Sequence, residues 1–189
     1  MRVLKGRDAA AIGAVAIGLT GLLGGVVVRG AVAQPAVGRT GSQEEGKRAF
    51  KASCAGCHKW HGAGGGGYGG AALSLRQTEL TREQIVETIA CGRPGTGMPY
   101  HVRDAYDSGS CYGMKKADLG KDMPPAADRF LRQTEIVRIV DYVLVHIKGK
   151  GEPNLSDCED FWGEGSRVCG EYRRGAARTG SSTTTRSGG

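Results

Sequence analysis

Cys54-Ala55-Gly56-Cys57-His58 decides how the rest of this chain is read. On a helical backbone the two cysteines stand about one turn apart, and the imidazole follows at once. That spacing suits two thiols adding to the two vinyl groups on one edge of a porphyrin, with His58 aimed at the iron as its proximal ligand. Two other chemistries use paired cysteines. A zinc site needs two further ligands at knuckle-like spacing, and the next cysteine, Cys91, stands far off and alone. A thiol-disulfide motif needs a strand before it and a helix after it, and nothing in residues 40–60 reads as strand. The motif is therefore read as a covalent haem c site, one per chain.

Three more imidazoles and four methionines bear on the sixth position. Met98 sits in Gly95-Thr96-Gly97-Met98-Pro99, where glycines permit close backbone approach and Pro99 stiffens the loop. Met123 sits in Asp122-Met123-Pro124-Pro125, just ahead of the last strong helix. Met114 has no such frame. A thioether suits an electron carrier, because it favours ferrous iron and closes the sixth position to dioxygen. Met98 is favoured and Met123 is the alternative. His61 is too near His58 to reach the opposite face. Arg93 and Tyr68 lie in loops expected at the macrocycle edge and are candidates to meet a propionate.

The remaining cysteines, Cys91, Cys111, Cys158 and Cys169, are even in number, as expected of disulfides in an exported chain. Pairing each with its nearer neighbour, Cys91 with Cys111 and Cys158 with Cys169, closes two short local loops.

Export is read from the N-terminus. Arg2, Lys5 and Arg7 form a basic start, Ala9–Val28 carries no charge, and Ala31-Val32-Ala33 offers small residues for cleavage. Residues 1–33 are thus a signal peptide or an N-terminal membrane anchor, the first being favoured. Both place the body in the periplasm, and a membrane is a partner only if the segment is retained. The formal charge of +7 is concentrated at the two ends, and residues 34–170 carry 18 basic against 17 acidic side chains. That balance argues against nucleic acid as a partner.

The rest of the chain reads as helix and loop. Residues 34–41 form a linker. Gln43 to Cys57 predicts a helix capped by Ser42, with Gly46 and Phe50 four apart on one face. Gly62 to Gly70 is nearly all glycine and is read as a tight loop against the macrocycle. Thr81 and Gln84 make a capping box for a helix to Ala90. Residues 92–128 are loop-dominated because four prolines interrupt them. Thr134 to Lys148 is the strongest helix, with Ile136, Val140, Val143, Leu144 and Ile147 on one stripe. Residues 151–174 form a disulfide-stapled extension, and residues 175–189 read as a disordered tail.

Taken in order, these pieces resemble a monohaem cytochrome c of the small soluble type over residues 42–148, within a domain drawn as 42–150. The resemblance implies an all-α cytochrome c fold, three or more helices wrapped around one covalent haem. It implies that the first and last helices cross, with Gly46 and Phe50 meeting the Tyr142 region. It implies His58 and Met98 as axial ligands, with electron transfer at the exposed haem edge. Two features depart from the family's pattern: a loop insertion over His101 to Asp122, and the C-terminal extension. The expected function is a periplasmic electron carrier, not itself an enzyme, cycling Fe(II)/Fe(III) in a respiratory or dehydrogenase-linked chain. Its partners are then a protein donor and a protein acceptor. The alternative is a cytochrome subunit of a larger oxidoreductase complex.

Overall fold

The computed structural model describes residues 36–66 and 71–181. Residues 1–33, read from the sequence as a signal peptide or anchor, Tyr68 and the last eight residues lie outside them. The described residues belong to one compact unit, Gln34–Gly189. They are helical, with isolated bridges in place of strands. The elements are α1 (Ala36–Ser53), α2 (Ala55–His58), α3 (Arg82–Cys91), α4 (Lys116–Leu119), α5 (Gln133–His146), α6 (Leu155–Trp162) and α7 (Gly170–Ser181). Among the described residues, no helix is long and apolar enough to cross a membrane.

The crossing of α1 and α5 organises the molecule. Gly46 is buried, and a Cβ built there would stand 2.2 Å from the Arg138 carbonyl and 2.8 Å from Tyr142 Cβ. Only a residue without a side chain lets the backbones come this close. One turn on, the fully buried Phe50 ring meets Tyr142 at 5.6 Å between centroids. Around this contact pack Ile85 and Ile89 of α3, Ile136, Ile139, Val140 and Val143 of α5, and Phe161 of α6. Each apolar side chain buried in this way contributes about 1.5–3 kcal/mol.

Three boundaries differ from the sequence reading. The 34–41 segment predicts a linker, yet the chain is helical from Ala36. Pro35 is the last residue barred from a helix interior, and Gly38 and Gly41 weaken a helix without breaking it. The predicted helix through Cys57 is divided at Cys54, whose ψ of −37° comes with a φ of −122°. The tail expected to be disordered from residue 175 is helical to Ser181. Its first turns are anchored by Arg173, which pairs with Glu159 at 3.0 Å and donates to the Ser166 carbonyl at 2.8 Å.

Both disulfides form as the spacing suggests, Cys91 with Cys111 and Cys158 with Cys169. The first anchors the insertion, whose own small core gathers Ala105, Tyr106 and Leu119 around the two sulfurs. The second staples α6 to the turn before α7. Phe161 and Tyr172 from this extension then pack on Trp60, at 6.1 and 5.7 Å between centroids.

Candidate haem site

The motif sits where α1 gives way to α2. The Cys54 amide donates to the Phe50 carbonyl at 2.8 Å, completing α1. Its own carbonyl then accepts from the Cys57 and His58 amides at 3.2 and 3.0 Å. One added turn therefore holds both cysteines and the histidine, and its outer anchor is Phe50 in the core. Cys54 and Cys57 take no part in either disulfide. Burial, with the nearby Cys57 thiol, pushes Cys54 up to about 12, while Arg129 opposes the shift.

After His58 the chain turns back. Lys59 adopts a left-handed φ of 63°. The Gly64 amide donates to the His58 carbonyl, and Gly65 and Ala72 exchange two backbone hydrogen bonds at 2.9 and 3.2 Å. The described part of the glycine-rich run is therefore a folded loop. Cβ atoms at Gly62 and Gly64 would collide with Ile147 and with the Ala72 carbonyl. The loop brings the Leu73 carbonyl 3.2 Å from His58 Nδ1. An imidazole that donates from Nδ1 keeps Nε2 as its lone-pair nitrogen. Burial lowers the His58 pKa, the Leu73 carbonyl opposes this, and Arg93 adds to it.

Arg76 fixes the far end of this loop. Its guanidinium, with the residue only 6 % exposed, donates to the carbonyls of His61, Lys150 and Gly151 and pairs with Asp157 at 3.0 Å. It joins the segment after the motif to the link between α5 and α6. Nothing local in the sequence marks it, because its main partners lie more than seventy residues away.

Met98 is half-buried in a closed turn. The Arg93 amide donates to the Met98 carbonyl at 3.2 Å, and the Met98 amide donates to Thr96 Oγ1 at 3.2 Å. Thr96 is tied in turn to the Arg93 carbonyl at 2.8 Å through its hydroxyl. Met123 lies on the neighbouring segment, where the Gly95 amide donates to the Asp122 carbonyl at 2.7 Å. Met123 and Met114 both pack against the insertion's core, and Met98 belongs to neither described cluster. His101 is buried, with Nδ1 at 3.1 Å from the Ile89 carbonyl, so it fastens the loop to α3. Arg129 escaped the sequence reading. Its charge acts on both Cys54 and His101, and that of Arg93 acts on His58.

These residues fit a haem c. The turn brings both cysteines and the imidazole together, with the imidazole Nδ1 facing a backbone carbonyl. Leu73, whose carbonyl makes that contact, is 63 % exposed, so an apolar side chain stands open beside the motif. Among the described residues, no three histidine, cysteine or acidic side chains gather to hold a metal ion by themselves. A closed zinc site does not fit.

Residues 41–108 match the family model described as cytochrome c oxidase, cbb3-type, subunit III. The chain carries a c-type cytochrome domain. No curated protein and no solved structure matches the chain. The cytochrome match takes in the motif, the glycine loop, α3 and Met98, and it stops inside the insertion. Met123, α5 and the extension lie beyond it.

Proposed function

We propose that the cytochrome domain holds one haem c covalently through Cys54 and Cys57, with His58 and Met98 as axial ligands, and that it relays single electrons between protein partners in the periplasm. The observation that carries this reading is the turn at Cys54–His58, with its Leu73-held imidazole, inside the region matched to a cytochrome family. When bound, the haem supplies the one-electron Fe(II)/Fe(III) couple.

The chain's residues do the rest. Cys54 and Cys57 keep the group from dissociating. The Leu73 carbonyl orients His58 and raises its basicity as a ligand. The closed Arg93–Met98 turn would hold the Met98 thioether in place toward a bound haem. Arg93 and Arg129 place positive charge near the site, and Arg93 is a candidate partner for a propionate.

Two observations favour Met98 over Met123: Met98 lies inside the family match, and Met123 packs in the insertion's core. Ferric spectra of the haem-loaded protein test the choice. The sulfur-to-iron charge-transfer band is expected to vanish in Met98→Ala and persist in Met123→Ala. The reverse pattern overturns the assignment.

The matched family is described as an oxidase subunit, which favours a second reading: a cytochrome subunit of a larger oxidoreductase complex. The insertion and the extension are then the partner surfaces. Purification from the native membrane separates the readings, because a subunit co-elutes with its complex and a carrier elutes alone.

A further inference from the structure

The insertion departs from the family's pattern, yet two of its tyrosines reach back to the loop that bears Met98. Tyr106, 1 % exposed, donates its hydroxyl to the Cys91 carbonyl at 2.7 Å. Tyr112 donates its hydroxyl to the next carbonyl, that of Gly92, at 2.8 Å. These are the last carbonyl of α3 and the first of the loop. The Cys91–Cys111 disulfide joins the two segments between the tyrosines.

Gly92 passes this restraint on. It adopts φ of 67°, and a Cβ there would stand 2.6 Å from the Met98 carbonyl and 2.7 Å from Pro99 C. Its peptide therefore lies directly against the backbone of Met98 and Pro99. Tyr112 also carries a cost that packing alone does not explain. It takes a left-handed φ of 54°, followed by Gly113 at 70°, in the turn closed by the Met114 amide on the Cys111 carbonyl. Asparagine or glycine fits that position with less strain, and a bulky residue there points to a function. The Tyr112 amide is held too, by Glu87 Oε1 at 3.1 Å.

We propose that Tyr112, with Tyr106 and the Cys91–Cys111 disulfide, is a positioning residue that locks the Met98 loop through Gly92 and so resists displacement of the axial thioether. The inference rests on Met98 being the sixth ligand. Tyr112→Phe removes only the hydroxyl, and Tyr112→Asn removes it while suiting the left-handed backbone better.

The test titrates exogenous imidazole into the haem-loaded ferric protein and follows loss of the sulfur-to-iron band. Both variants are expected to retain the band at neutral pH and to bind imidazole about fivefold more tightly than wild type, the effect of one neutral hydrogen bond. The double variant Cys158→Ser/Cys169→Ser lowers stability through the extension rather than the insertion, and it is expected to leave imidazole affinity unchanged. Equal affinity in wild type and both tyrosine variants overturns the clamp while the ligand assignment stands. An equal shift in the extension's disulfide variant also overturns it, since loosening is then global. A wild-type protein without the band overturns the ligand assignment and the clamp together.

Discussion

Gly46 shows how far a single residue controls the site. The motif turn is built on the last turn of α1, and α1 is positioned by its crossing with α5. A methyl group at Gly46 meets the Arg138 backbone, which cannot swing aside as a flexible side chain would. Gly46→Ala is expected to destabilise the folded protein by about 1–3 kcal/mol, the usual range for overpacking a tight contact. Urea unfolding of the purified protein measures it, and an unchanged midpoint contradicts the close crossing. Gly46 and Phe50 were legible in the sequence because a glycine four residues from an aromatic marks one helix face. Leu73, Arg76 and Arg129 were not legible. Their roles depend on loops and on residues far along the chain, where no periodicity points.

At the scale of elements, the start of α5 carries a pH-dependent contribution. The Glu135 carboxylate accepts from the Arg132 amide at 3.0 Å and from the Arg129 guanidinium at 2.9 Å. These bonds, the Arg132 amide's first among them, lower its pKa from the ordinary value near 4.5 to about 2. A carboxylate depressed in the folded state adds stability above its ordinary pKa and loses it as the pH falls through the folded value. Glu135→Gln is therefore expected to cost about 1 kcal/mol at pH 7, as for a partly exposed ion pair with a helix-start hydrogen bond. The gap between variant and wild type narrows below pH 4.5 and closes near pH 2. Chemical unfolding of both proteins across that range checks it, and a constant gap contradicts it. Helices such as α3 and α5 were readable because their caps and stripes are local. The onset of α1 and the length of α7 were hidden by glycines, which look like linker until tertiary contacts or a stapled turn carry the helix through them.

For the whole molecule, the extension is the feature that a minimal cytochrome domain does not need. It packs Phe161 against Phe50 and Trp60, so it covers the back of the α1–α5 crossing close to the motif. The Cys158–Cys169 bridge holds it there. Replacing both cysteines by serine is expected to lower stability by about 3 kcal/mol, the chain-entropy value for a loop of this size. A fall in the thermal midpoint measures it, and no fall contradicts a structural role for the staple. The pairing was legible from loop length. The docking of the extension was not, because it rests on aromatic contacts between residues about a hundred positions apart.

The proposed function requires a covalent bond between this chain and one haem. It is tested most directly by the intact mass of the protein under denaturing conditions, after expression in a host able to attach haem. A polypeptide heavier by one haem is expected, with the added mass lost when Cys54 and Cys57 are both replaced by alanine. A wild-type chain with the mass of the polypeptide alone would contradict it.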